Sequence, residues 1–199
     1  RSIAVGNFVT GTTLNTSPKT GKALSYVESI NEDGSLNLKV IATIYDSEHD
    51  NGIHDDGYFR NRQADAYVVT SIYDYVKEKK DAGHSIYFQE WFESYAVKEK
   101  CDSVREGALV IGNRYNHYSI TNGETLCFVE SVGDYDEITV RTLTNYMSAD
   151  GFEVDVDKFK PISIEEYFAK FPNAPKNKNY KKYVFGGYYD YTPETDGNN

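Results

Sequence analysis

The residues best equipped for chemistry lie in one short run, DSEHDNGIHDDG, at positions 46–57. Asp46, His49, Asp50, His54, Asp55 and Asp56 put carboxylate oxygens and imidazole nitrogens close together, the donor types that hold calcium, manganese or zinc. The run is not a helix-loop-helix calcium site, because the glycine and the closing glutamate of such a loop would fall at other positions. A solvated acidic loop is the plainer reading, and divalent-cation binding is the sharper one.

The rest of the chain offers little catalytic apparatus. Its histidines are His49, His54, His84 and His117, and none stands in a His-Glu-x-x-His arrangement. Paired Cys-x-x-Cys ladders, a phosphate-cradling glycine loop, a Gly-x-Ser-x-Gly elbow and a dinucleotide fingerprint are all missing. Cys101 and Cys127 are too few for a disulfide framework and fit a reducing compartment. Cys127 has no histidine near it in sequence and reads as a small strand residue. The expectation is a protein that is not an enzyme and needs no cofactor, although a site assembled from distant residues would leave no local motif.

Two further groups are suited to binding. Phe88, Trp91, Phe92 and Tyr95 share one stripe of a helix expected over 85–98. Such a stripe either packs on the rest of the fold or docks a partner. The C-terminal stretch KNKNYKKYVFGGYYDYTPETDGNN interleaves Lys178, Lys181 and Lys182 with Tyr183, Phe185, Tyr188 and Tyr189. Lysines among aromatics grip single-stranded nucleic acid through phosphates and stacked bases. Equally, KYVF and YYDY form a strand pair about Gly186-Gly187 that closes on a sheet.

The elements that would position these groups are marked by an internal repeat. LSYVESINEDGSLNLKV at 24–40 aligns without gaps on LCFVESVGDYDEITVRT at 126–142, matching Tyr26 with Phe128, Glu28 with Glu130, Leu38 with Val140 and Lys39 with Arg141. Each copy alternates apolar and polar residues about a polar turn, the pattern of a β-hairpin. Upstream, Val5-Gly6-Asn7 is set against Ile111-Gly112-Asn113; downstream, DDGYFRN against DVDKFKP places Phe59 opposite Phe159. In strand order and length, residues 3–60 and 107–160 resemble small β-barrels of the Src-homology-three, Tudor and KOW type. The resemblance implies short, strongly bent strands and carries no functional residues across. A duplicated split-sheet α+β unit is the competing fold.

Between the copies, Ala64, Val68, Val69, Ile72, Tyr73 and Val76 recur at helical spacing, and Lys77, Lys79, Lys80 and Gly83 mark a helix end. A helix over 61–80 and another over 85–98 predict a helical hairpin. After the second copy, Ser163 and Glu166 form a capping box for a helix carrying Tyr167, Phe168 and Phe171. The reading is therefore an α+β, β-rich chain. Its parts are a first barrel-like repeat at 1–60, a helical connector at 61–104, a second repeat with a C-terminal helix at 105–175, and a Lys/Tyr-rich tail at 176–199.

Bulk chemistry narrows the partners. The 199 residues carry a formal charge of −10 and a pI near 4.9, with 39% hydrophobic residues, enough to fold. An acidic surface repels phosphate at long range and suits a basic protein. No run approaches the ~18 apolar residues that span a bilayer. The expectation is a cytoplasmic interaction or regulatory protein with an acidic surface that meets another, basic, protein and no membrane; the oligomeric state is open. A viral, host-interacting role fits the Tyr-, Asp- and Asn-rich composition. The alternatives are nucleic-acid binding by one barrel with the tail, and a virion or assembly component.

Overall fold

Period-two alternation of apolar residues builds an antiparallel sheet in each half of the chain. The computed structural model describes residues 2–12, 23–44, 56–112, 124–144 and 152–186. The chain divides into two units, Arg1–Glu99 and Lys100–Asn199.

In the first unit β1 is Phe8–Gly11, β2 Ala23–Ile30, β3 Leu36–Ile44, β4 Tyr58–Arg62, β5 Tyr67–Thr70 and β6 Ile86–Phe88. The strand order is β4-β3-β2-β1-β5, and β6 adds to β3 where β4 leaves it bare, pairing Ala42 with Phe88 and Ile44 with Ile86. Val9, Val27, Leu36, Leu38, Val40, Phe59 and Tyr67 fill the inner face. Burying a side chain of this size contributes about 1.5–3 kcal/mol, so this face holds the sheet together. A 3-10 turn, Ala64–Ala66, leads into β5. Helix α1, Ile72–Asp81, begins at Ser71, whose Oγ accepts the Asp74 amide at 3.0 Å. Glu99 accepts the Ile72 amide at 2.5 Å, satisfying another unpaired N–H of the first turn. Ile72, Tyr75 and Val76 are its buried face, and a short helix α2, Phe92–Ala96, follows β6.

In the second unit β7 is Leu109–Gly112, β8 Thr125–Val132, β9 Glu137–Thr142, β10 Phe152–Asp155 and β11 Phe159–Pro161. Their order is β10-β9-β8-β7-β11, and a 3-10 turn, Val156–Lys158, again precedes the last strand. Ala108, Val110, Cys127, Val129, Ile138, Val140 and Phe159 make the core, which places Cys127 inside, as a small strand residue. Helix α3, Ile164–Lys170, is capped by Ser163 Oγ on the Glu166 amide at 3.1 Å. A cap of this kind is worth about 1 kcal/mol. Gly112 is fixed by space: a Cβ there would meet the Lys158 carbonyl at 2.4 Å and the Phe159 ring at 2.6 Å.

The fold is α+β and β-rich, and it departs from the sequence reading in five ways. Among the described residues neither sheet closes into a barrel: β4 and β5, and likewise β10 and β11, stand at opposite ends of their strand orders. The helical hairpin of 61–104 is instead a run of 3-10 turn, strand, helix, strand and short helix. Helical spacing misled because Val68 and Val69 are β-branched and pair with Thr10 and Val9. The upstream alignment shifts: Gly6 donates to Val27 O and Gly107 donates to Val129 O, both at positive φ, so Gly107, not Gly112, stands where Gly6 does. The downstream one shifts too, since Phe59 lies on β4 and Phe159 on β11. Finally, the KYVF stretch expected as a strand is a helical turn of π type, Lys182–Gly186, and 188–191 lies outside the described residues.

Candidate functional site

Asp46, His49, Asp50, His54 and Asp55 lie outside the described residues. Asp56 is described, and its carboxylate accepts the Tyr58 amide at 2.9 Å and Arg60 Nη2 at 3.4 Å. Among the described residues no group of three or more His, Cys, Asp or Glu side chains is placed to hold a metal.

The aromatic stripe turns onto the sheet of its own unit. Phe92 is fully buried and meets Phe88 edge to face at 4.6 Å. Trp91 Nε1 donates to Val40 O at 2.7 Å, and its ring lies where a Cβ on Gly57 would clash. Tyr95 donates its hydroxyl to Glu28 Oε1 at 2.5 Å and packs on Tyr26 at 5.1 Å. Burial, reinforced by the Glu28 carboxylate, raises the Tyr95 hydroxyl above the ordinary phenol range. In the C-terminal stretch Lys178, Lys181 and Lys182 are exposed, Tyr183 and Phe185 are half-buried, and Tyr188 and Tyr189 lie outside the described residues.

The same face in the two units is built from equivalent positions. Lys39 on β3 stands opposite Tyr26, and Arg141 on β9 stands opposite Phe128. Lys39 Nζ donates to Asp56 O at 2.6 Å and lies 4.1 Å from the Tyr58 ring centroid and 4.3 Å from that of Trp91. Arg141 Nε instead donates to Glu130 Oε1 at 2.5 Å, and Tyr183 donates its hydroxyl to the same oxygen at 3.2 Å. The Tyr183 ring packs on Phe128 at 5.0 Å, as Tyr95 packs on Tyr26. Where Trp91 Nε1 donates to Val40 O in the first unit, the second uses side-chain amides at the matching position: Asn177 and Asn179 donate to Thr142 O at 2.9 and 3.3 Å. Glu28, Lys39, Glu130 and Arg141 find their partners within their own units, which suits holding the fold more than meeting a ligand.

The hairpin ends differ. In the first unit the β2–β3 turn is knotted by side chains: Asn31 Nδ2 donates to Ser35 Oγ at 2.8 Å and Asn61 Oδ1 at 3.0 Å, and Asn37 Nδ2 donates to Ser29 Oγ at 2.9 Å and Asn31 Oδ1 at 2.9 Å. Asp33 accepts the Ser35 hydroxyl at 2.6 Å and amide at 2.9 Å, which hold its carboxyl below the usual range. Gly34 supplies the left-handed position with φ 84°.

In the second unit the left-handed positions of the β8–β9 turn are occupied by Tyr135 and Asp136, with φ 62° and 61°. A turn with two positive φ values favours Asn-Gly, and a bulky residue there costs about 1–2 kcal/mol. Tyr135 is 95% exposed. Asp134, Asp136 and Glu137 of the turn, and Glu153, Asp155 and Asp157 on and just after the neighbouring β10, are all exposed. Asp155 stands directly opposite Glu137 on the ladder, a like-charge pairing that weakens a sheet. The Val156 amide donates to Asp136 O at 2.9 Å and fastens the β10 end beside the turn. Among the described residues no ion pair reaches these carboxylates.

In sequence this end carries no motif of its own and reads only as the turn of a repeated hairpin. The signal was in the alignment of 24–40 on 126–142, which sets Asp33-Gly34 against Tyr135-Asp136. In comparisons with known protein families, curated proteins and solved structures, the chain matches none.

Proposed function

We propose that this chain is a non-catalytic interaction protein whose second unit offers the β8–β9 hairpin end to a basic surface of another protein. The observation that carries this reading is Tyr135, 95% exposed in a strained turn beside Asp134, Asp136 and Glu137, carboxylates that make no ion pair among the described residues. A tyrosine gives a large, stiff contact at low entropic cost, and it belongs among the residues that anchor interfaces. The surrounding charge speeds encounter with a lysine- or arginine-rich partner and excludes acidic ones.

The architecture that presents this end is read as two copies of one unit. Supporting this are the shared strand order, the 3-10 turn before the last strand, and a serine-capped helix after it. That order and the short strands keep the resemblance to small barrels of the Src-homology-three, Tudor and KOW type, here as open sheets. Duplication leaves one copy free to diverge at its turn.

The test is titration of the full chain with an arginine- and lysine-rich peptide at low and at physiological salt. Salt-sensitive binding is expected, because exposed charges are screened over about 8–10 Å at physiological ionic strength. Absence of binding even at low salt would sink the proposal.

A further inference from the structure

Of the described tyrosines only Tyr87 and Tyr135 are exposed, at 54% and 95%. Tyr87 lies within β6, paired with Thr43, so its backbone is held in the sheet. Tyr135 stands at the outermost point of a two-strand turn, and no hydrogen bond to its hydroxyl is made among the described residues. An acceptor phenol must enter another enzyme's cleft and bring its oxygen to roughly 3–3.5 Å from the phosphorus it attacks. A ring projecting from a turn can do this without unpairing a strand.

We propose that Tyr135 is a phosphoryl-acceptor site for a tyrosine kinase, with a nucleoside triphosphate as donor. The phenolic oxygen forms a bond to the γ-phosphorus. The bond from that phosphorus to the β–γ bridging oxygen breaks, the nucleoside diphosphate leaves, and the phenolic proton passes to the kinase's base. Asp134, Asp136 and Glu137 beside the acceptor suit a kinase with a basic substrate groove. The product adds about −1.5 to −2 charge and three strong acceptor oxygens at the point where the proposed partner docks. The site would then regulate the same surface, so this inference rests on the interaction reading for its consequence and on Tyr135's own geometry for its chemistry.

The probe is a purified tyrosine kinase chosen because it phosphorylates a synthetic peptide of residues 131–138. With the full folded chain and ATP, intact mass and fragment mapping are expected to show one phosphoryl group on Tyr135, absent from Tyr135→Phe and retained in Tyr87→Phe. A chain left unmodified by that kinase, or modified only at another tyrosine, overturns the proposal. The phosphorylated chain is expected to bind the arginine-rich peptide about threefold or more tightly than the unmodified chain. Equal binding by both forms overturns the regulatory role. If Tyr135 is phosphorylated and neither form binds, the interaction reading fails and the modification stands.

Discussion

The two hairpin ends occupy the same place in sheets of the same strand order, and they use it in opposite ways. At the first, Asn31, Asn37 and Asn61 close a ring of hydrogen bonds and Asp33 folds back on Ser35. At the second, the glycine is replaced by an aspartate, the turn is tipped by Tyr135, and the nearby carboxylates point to solvent. Polar groups that bond within a turn stabilise it; polar groups left outward, on a backbone that a bulky residue strains, add little stability and are available to a partner. A shared frame thus separates what the fold needs from what it merely carries.

The contrast is open to attack at several strengths. The largest effect is expected behind the turns, where each sheet is covered by a later segment. Trp91→Ala removes the Val40 hydrogen bond, the stack on Gly57 and one wall of the Lys39 site, and should lower stability by about 3 kcal/mol in denaturant unfolding. Tyr183→Ala, with one hydroxyl bond and a ring contact on Phe128, should lose about 2 kcal/mol. A loss below about 0.5 kcal/mol at either site would place it among ordinary surface positions.

At the turns, Asn37→Ala strands Asn31, Ser29 and the Asn61 amide and should destabilise by about 1–3 kcal/mol, whereas Thr139→Ala at the matching place should stay within about 0.5 kcal/mol. Equal losses would erase the distinction between the two ends. Smaller again is Tyr135→Asn, which should raise stability by about 0.5–1 kcal/mol by relieving the left-handed backbone, while Gly34→Ala should lower it by about 1 kcal/mol. A stability loss on Tyr135→Asn would mean that the ring has a structural role.

The smallest effect is in the pH dependence. Asp33 sits below its ordinary value of 3.8 because Ser35 bonds its charged form. Its stabilising contribution is therefore complete above that ordinary value and fades as acid protonates the folded carboxylate. The stability gap between wild type and Asp33→Asn should narrow as the solution is acidified through this range. A gap that widens in acid would refute the assignment.

The sheets were legible because hairpin residues obey a two-residue period that burial enforces, from Leu36 to Val40 and from Ile138 to Thr142. The Ser163 cap was legible because capping chemistry is local. Strand β5 was not, since four residues flanked by Ala64 and Ile72 also fit a helical spacing, and only pairing with β1 decides between them. The matching Ser71 cap was hidden by the same error, as the helix was begun too early. The aromatic stripe was found by type and not by direction: what Trp91 and Tyr95 face depends on Val40 and Glu28, remote in sequence. Tyr135 was in plain sight, but its exposure and its φ are properties of the folded turn.

The most direct measurement of the central claim is an exchange of turns. Residues 133–137 of the full chain are replaced by the Asn-Glu-Asp-Gly-Ser sequence of 31–35, and binding of the arginine- and lysine-rich peptide is titrated beside wild type at low salt. A folded chain is expected, by its unfolding transition, with binding reduced tenfold or more, about 1.4 kcal/mol or greater. Undiminished binding by the exchanged chain would contradict it.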